Sequence, residues 1–317
     1  MRDITVLYNP VAGRGKARKT WPEVEKALRM LGGSLHIETT HKRGDARALA
    51  RTYAGRGTGV IIAAGGDGTV HEVVNGILEA SEKGERVALG IIPLGSGDDF
   101  VKMLPPETPV GKQAFSWQSA IEKIAEGKTV RYDVGKITVL DSEKPAEQGA
   151  SCFFINGMNL GFTAHASHNF STVPKFLTGT AGYLAAVLKT LWHYPSLRLA
   201  MTLDDGPAEF VQTSLAALMN GRCFGHTFWV APHADARDGF LDIMFTEKLG
   251  RLSILRKLPL LLSGSHVHDP LVHWRRAAKV EIYSAAPLIV EADGETLFTG
   301  VGRMEVEILP GAIDVVI

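Results

Sequence analysis

Three stretches of the sequence combine glycine with residues able to meet phosphate or carry charge. The first, Asn9-Pro10-Val11-Ala12-Gly13-Arg14-Gly15-Lys16, has glycines and basic side chains suited to a phosphate. It lacks the GxxxxGK[ST] spacing of a P-loop and the GxGxxG of a dinucleotide fold, and alone it reads equally well as a turn. The second, Gly65-Gly66-Asp67-Gly68-Thr69, follows an apolar run and precedes a helical pattern in which Thr69 and Glu72 have capping-box spacing. Three glycines leave no Cβ to hold a phosphate off the amides of a helix N-terminus. A carboxylate beside a polyphosphate is repulsive unless a cation lies between, so Asp67 is expected to contact magnesium directly or through water; the plainer alternative is a turn with Asp67 at the helix entry. The third, Pro93-Leu94-Gly95-Ser96-Gly97-Asp98-Asp99-Phe100, again mixes glycine, hydroxyl and carboxylate, and Ser96 can bond a phosphate or ribose oxygen. Three such loops together point to a nucleotide site.

These loops need a scaffold that gathers them. From the start to about residue 126, β-branched runs at 4–8, 35–39, 60–64 and 87–92 alternate with helical patterns at 17–31, 45–54, 70–80 and 117–126. That alternation is the signature of βαβ units and a mostly parallel sheet, and parallel sheets bind ligands at the C-terminal ends of their strands. Beyond Gly127 the texture changes to strand-like segments at 130–140, 152–156, 197–203, 240–245, 279–283 and 288–291, separated by Gly, Pro and Asp turns. This half reads as mainly antiparallel β, interrupted by helical patterns at 179–192 and 251–262. The expectation is an α/β nucleotide-binding domain over residues 1–129 and a β-rich domain over 130–317, with a return of the final residues to the first domain left open.

Composition narrows the function classes. With 317 residues, 45% apolar and 21% charged, the chain can bury cores and is long enough for two domains. Lys plus Arg balances Asp plus Glu at 34 each, so no global field draws it to nucleic acid. Cys152 and Cys223 lack ligand or disulfide spacing, which fits a reducing cytoplasm. No secretory signal is read at the start, and the greasiest stretches are too short to span a bilayer.

Two later segments carry carboxylates in turns. Asp235-Ala236-Arg237-Asp238-Gly239-Phe240 reads as an acidic turn before a strand. Asp293-Gly294 reads as a hairpin turn, although phosphoryl transfer to an alcohol needs a proton acceptor and a rigid hairpin tip can present one.

At these loops the sequence resembles the diacylglycerol kinase catalytic-domain family, in particular its bacterial lipid kinases, relatives of the sphingosine and ceramide kinases. The resemblance runs through Asn-Pro-x-x-Gly, Gly-Gly-Asp-Gly-Thr with Glu72-Val73-Val74-Asn75-Gly76, the Pro-x-Gly loop, Asn156-x-x-x-x-Gly161-Phe162, Asp238-Gly239 and Asp293-Gly294-Glu295. It implies an NAD-kinase-like first domain, and ATP and Mg2+ as cofactors. It implies ATP held by Asn9, Pro10, Gly13, Thr40, Gly66, Asp67, Gly68, Thr69, Glu72 and Ser96, and a magnesium element at Asp235, Asp238 and the carbonyl of Phe240. It makes Glu295 the base, with Asp293 as an orienting or metal-linked neighbour. Many relatives have Asn at the position of Asp98, a departure that puts its usual contacts in question.

The expected substrate is a diacylglycerol-like lipid met at a membrane surface, with the protein cytoplasmic and peripheral at the inner membrane face, and a homodimer left open. An apolar cleft is expected from Phe153, Phe154, Phe162, Phe170 and Phe176, and a basic membrane-facing helix from Arg251, Arg256 and Lys257; core packing and an ordinary surface helix are the alternatives. An NAD or sugar kinase, or a sensor without turnover, are the rival functions.

Overall fold

The computed structural model describes residues 3–81, 86–104, 116–170, 189–192, 196–225 and 228–317. The expected helix at 179–192 lies outside the described residues except for its last turn, as does Phe176.

In the first half the strands β1 (Ile4–Tyr8), β2 (Leu35–Thr39), β3 (Val60–Gly65) and β4 (Ala88–Pro93) run parallel in the order β4-β3-β1-β2. Helices α1 (Lys16–Met30), α2 (Asp45–Ala54), α3 (Asp67–Ser81) and α4 (Trp117–Glu126) alternate with them. The β3 strand is buried along its whole length, as expected for a strand covered on both faces. Register brings Thr39, Tyr8, Ala64 and Ile92 side by side, so the four loops that leave these strands emerge at one edge. Helix α3 starts three residues earlier than the apolar periodicity alone indicates: the amides of Thr69 and Val70 already donate to the Gly66 carbonyl. Thr69 is therefore inside the helix rather than its cap.

The second half is antiparallel. Strands β5 (Thr129–Ser142), β6 (Ser151–Phe154), β7 (Gly157–Gly161), β8 (Leu197–Leu203), β9 (Ala208–Thr213), β10 (Leu215–Met219), β11 (Leu241–Thr246), β12 (Val272–Ala277), β13 (Lys279–Ala292) and β14 (Glu295–Val316) make it up, with α5 (Phe162–Phe170) and α6 (Arg251–Ser263) beside them. Where the sequence pattern shows two short strands at 279–291, β13 is one strand carrying register shifts at bulges. Among the described residues all fourteen strands join one sheet. The far end of β14 runs parallel to β4, pairing Asp314 with Ala88 and Val315 with Leu89.

The two halves are also stitched by one buried side chain. Asn75 on α3 is fully buried; its Oδ1 accepts the Phe153 amide at 2.9 Å and its Nδ2 donates to the Phe153 carbonyl at 2.9 Å. The carboxamide thus stands in for the missing neighbour strand of β6. Asn75→Ala removes two hydrogen bonds from the half-buried Phe153 backbone, at about 1 kcal/mol each, and should lower the urea midpoint accordingly. Unchanged stability would show that β6 holds without it.

Candidate active site

A cleft of about 530 Å³ opens at the edge where the four parallel strands end. Each loop is tied to the next through backbone: the Asn9 amide donates to the Ala64 carbonyl, Thr40 to Tyr8 and Leu94 to Gly65. A Cβ on Gly95 would lie 2.5 Å from the Gly66 Cα, so the second and third loops approach backbone on backbone, which only glycine permits. The Asn9 Nδ2 donates to the Thr69 Oγ1 at 2.9 Å, fixing the first loop to α3.

Ten of the residues expected from the sequence line this cleft together: Asn9, Pro10, Gly13, Thr40, Gly66, Gly68, Thr69, Glu72, Ser96 and Glu295. The basic side chains on its walls are Arg18, His41, Lys42 and Arg43, a polyphosphate-friendly rim. Glu72 does not form the expected box with Thr69. Its carboxylate accepts from the Gly44 amide at 2.7 Å and the Ala46 amide at 3.1 Å, so it caps the start of α2, where a negative charge is favoured.

Asp67 lies between two cleft glycines, and its Oδ1 accepts the Asp99 amide at 2.6 Å. Burial, then the charges of Asp99 and Asp98, pushes its carboxyl up to about 8. Asp98 has φ +49°, a left-handed conformation that Asp and Asn tolerate better than other side chains. Its Oδ1 accepts the Gly95 amide at 3.2 Å, a role an asparagine oxygen fills equally well. The departure at this position therefore keeps conformation and hydrogen bond and adds only charge.

Glu295 is the first residue after the hairpin turn. Asp293 and Gly294 have φ +49° and +89°, the left-handed pair an Asp-Gly two-residue turn requires. Glu291 is fully buried, accepts the Gly294 amide at 2.7 Å, and is held by burial well above the usual carboxylate range. A Cβ on Gly68 would come 3.3 Å from the Glu295 Oε1, which places this carboxylate against the start of α3. Its other oxygen pairs with Arg43 at 2.9 Å.

Asp293 does not line the cleft. Its Oδ1 accepts the amides of Asn156 (2.9 Å) and Gly157 (3.2 Å), and its Oδ2 the amide of Ile155 (2.9 Å) and Nδ1 of His71 (2.9 Å). Burial works against a charged His71, but the Asp293 carboxylate and the Cys152 sulfur outweigh it and push the imidazole up to about 10. Asp293 is thus an orienting residue, and His71 is its partner that sequence reasoning missed; His71 sits inside the Gly-Gly-Asp-Gly-Thr/Glu72 block without any spacing signal of its own.

The turn at 235–240 stands apart from the cleft. The Asp238 Oδ1 accepts the Phe240 amide at 3.1 Å, its Oδ2 meets Arg276, and the Asp235 Oδ1 accepts from Arg237 at 3.0 Å. Arg276 also lies 3.5 Å from Asp242 and packs on the Phe240 ring. Guanidinium groups pair with both carboxylates, so a cation held by Asp235, Asp238 and the Phe240 carbonyl, as the resemblance implies, would have to displace them. Among the described residues no three His, Cys, Asp or Glu side chains group to hold a metal.

The comparisons with known proteins agree with this layout. Residues 3–137 match the diacylglycerol kinase catalytic domain and residues 157–317 the YegS C-terminal NAD kinase beta sandwich-like domain. A diacylglycerol kinase of Staphylococcus saprophyticus is 30% identical over 294 residues, 92% of this chain and 88% of that one. The chain belongs to the diacylglycerol kinase catalytic-domain family. This lipid kinase, a phosphotransferase, is also similar to a diacylglycerol kinase of Bacillus subtilis, 28% identical over 93% of this chain and 90% of that one. A solved diacylglycerol kinase from Bacillus anthracis shares the fold with TM-score 0.69, 22% identity, and coverage of 99% and 96%.

The charge added at Asp98 should make stability depend on pH. Burial, together with Asp99, raises its carboxyl to about 6 against an opposing bond from Gly95. As pH rises from about 4 to 6 the unfolded chain gives up this proton before the folded one, so stability is lost over that window. Asp98→Asn should melt higher than wild type above pH 6, by about 2–4 °C per kcal/mol relieved, and equally below pH 4. A pH-independent difference would mean the charge plays no part.

Proposed function

We propose that this lipid kinase moves the γ-phosphate of ATP, with Mg2+, onto the hydroxyl of a diacylglycerol-like lipid. The observation that carries the reading is the Glu295 carboxylate standing inside a glycine-lined, basic-walled cleft at parallel strand ends. The nucleotide phosphates lie over the first turn of α3, where the helix N-terminus favours negative charge, and Ser96 and Thr40 supply hydroxyls. The acceptor oxygen attacks the γ-phosphorus in line, the bond to the β-phosphate oxygen breaks, and Glu295 takes the acceptor proton. Magnesium, when bound with the nucleotide, neutralises phosphate charge. Asp67 and Asp98 fit it, because together with Asp99 they crowd three carboxylates around one ammonium, that of Lys102, and such an ion needs only one or two carboxylates plus phosphate.

The lipid side is supported by an apolar pocket between α6 and the sheet, lined by Phe162, Leu215, Phe224, Met244, Ile254 and Leu258 among others. Of the phenylalanines expected to form an acyl cleft, Phe162 is there, whereas Phe154 is wholly buried core. No helix among the described residues is long and apolar enough to cross a membrane. A peripheral docking face is favoured by exposed Trp192 and Leu252, with Arg251 5.8 Å over the Trp192 ring. Lys257 takes no part, being paired with Asp269.

Labelled-ATP transfer to diacylglycerol micelles tests the activity directly; transfer only to a soluble acceptor would refute it. Glu295→Gln should lower turnover by about two to four orders of magnitude without weakening nucleotide binding, and near-wild-type turnover would return the hairpin to a structural role. Ser96→Ala should weaken ATP binding about ten- to a hundredfold, the loss of one bond to a charged phosphate, while Ser96→Thr should be mild in the same fluorescence titration.

A further inference from the structure

We propose that Arg43 is a nucleotide-sensitive latch on Glu295: it holds the carboxylate in the free protein and passes to the terminal phosphate of a bound nucleoside triphosphate, releasing Glu295 to the acceptor hydroxyl. The inference rests on the kinase reading above and adds to it a residue and an order of events.

The geometry is specific. The Arg43 guanidinium lies 2.9 Å from the Glu295 Oε2, and both side chains line the same cleft. The guanidinium occupies one of the two carboxylate oxygens, and the pair must open before that oxygen can receive a proton from an alcohol. The arrangement in the free protein is therefore that of a masked base.

The latch can open without moving the loop that carries it. Thr40 is bonded to Tyr8, the amides of His41 and Lys42 donate to the Asp45 carboxylate at 2.9 and 3.0 Å, and the Gly44 amide donates to Glu72 at 2.7 Å. The backbone on both sides of Arg43 is fixed, whereas its side chain is 70% exposed and free to turn. Exposed ion pairs are among the weakest of charged contacts. A terminal phosphate carries more charge than a carboxylate and accepts from a guanidinium through several oxygens, so it wins the competition once it enters the cleft. A diphosphate, lacking that group, leaves the pair closed. Glu295 is then exposed as a base only while a transferable phosphate is present, and is covered again after transfer.

The test compares a non-hydrolysable ATP analogue with ADP on the 317-residue chain, in wild type, Arg43→Gln, Glu295→Gln and the double variant, by fluorescence titration. Arg43→Gln should weaken the analogue about tenfold or more and leave ADP unchanged. Glu295→Gln, by freeing Arg43, should tighten the analogue several-fold, and this gain should vanish in the Arg43→Gln background. Arg43→Lys should recover part of the loss. Equal effects on both nucleotides, no effect, or a gain from Glu295→Gln that persists without Arg43 would overturn the latch while leaving the kinase reading standing. A wild type that binds neither nucleotide would overturn both.

Discussion

One carboxylate sets the geometry of the catalytic end of this molecule. Asp293 accepts four hydrogen bonds, three from successive amides at 155–157 and one from His71. The first three fix the turn between β6 and β7; the fourth reaches α3, the helix whose N-terminus faces the cleft. A charge that buried is tolerable only when its lone pairs are filled, and here filling them joins a hairpin tip of the second half to a helix of the first. Glu295, two residues further on, inherits its position from that constraint. The base and the phosphate cradle are therefore held in register by a residue that touches neither substrate.

A parallel logic runs through other buried polar groups. Asp133 on β5 accepts the Gly239 and Gly311 amides at 2.7 Å each, tying the 235–240 turn to a kink in β14. Asn220 donates to the carbonyls of Asp133 and Ile155. Like Asn75, these side chains supply hydrogen bonds where irregular backbone passes close to another strand and has no ladder partner. Asp238 and Asp242 are served differently, by the guanidinium of Arg276, so the acidic turn carries its own counter-cation.

How much of this the sequence discloses depends on whether a residue works through its neighbours in the chain or across the fold. The strands at 4–8 and 35–39 and the helices at 45–54 and 117–126 were readable to the residue, because burial on one or both faces imposes a clear period. The loops could be read as a phosphate site because glycine, hydroxyl and acid are clustered in short spans. Strand β7, Gly-Met-Asn-Leu-Gly, carries a glycine at each end and was not separable from a turn, while β10, Leu-Ala-Ala-Leu-Met, has no strand-like composition at all. Glu72 was placed at the nucleotide from the resemblance, yet its hydrogen bonds go to α2, 26 and 28 residues away in sequence. Asp293 with His71 and Arg43 with Glu295 are more than 200 residues apart, and no local pattern encodes such a pairing.

The parallel pairing of β14 with β4 bears on how the chain reaches its fold. Until residues 314 and 315 arrive, the β4 flank of the first sheet offers unpaired amides and carbonyls along an apolar strand, the kind of edge that recruits the wrong partner. The nucleotide half is therefore not a unit that can close early and wait for the rest. Its last ladder contact spans more than 220 residues of sequence, which puts the closing step late and makes it slow. On a ribosome, the phosphate loops would be in place well before their sheet is sealed, and a nascent chain stalled short of the final strand would present a half-built site with a sticky margin.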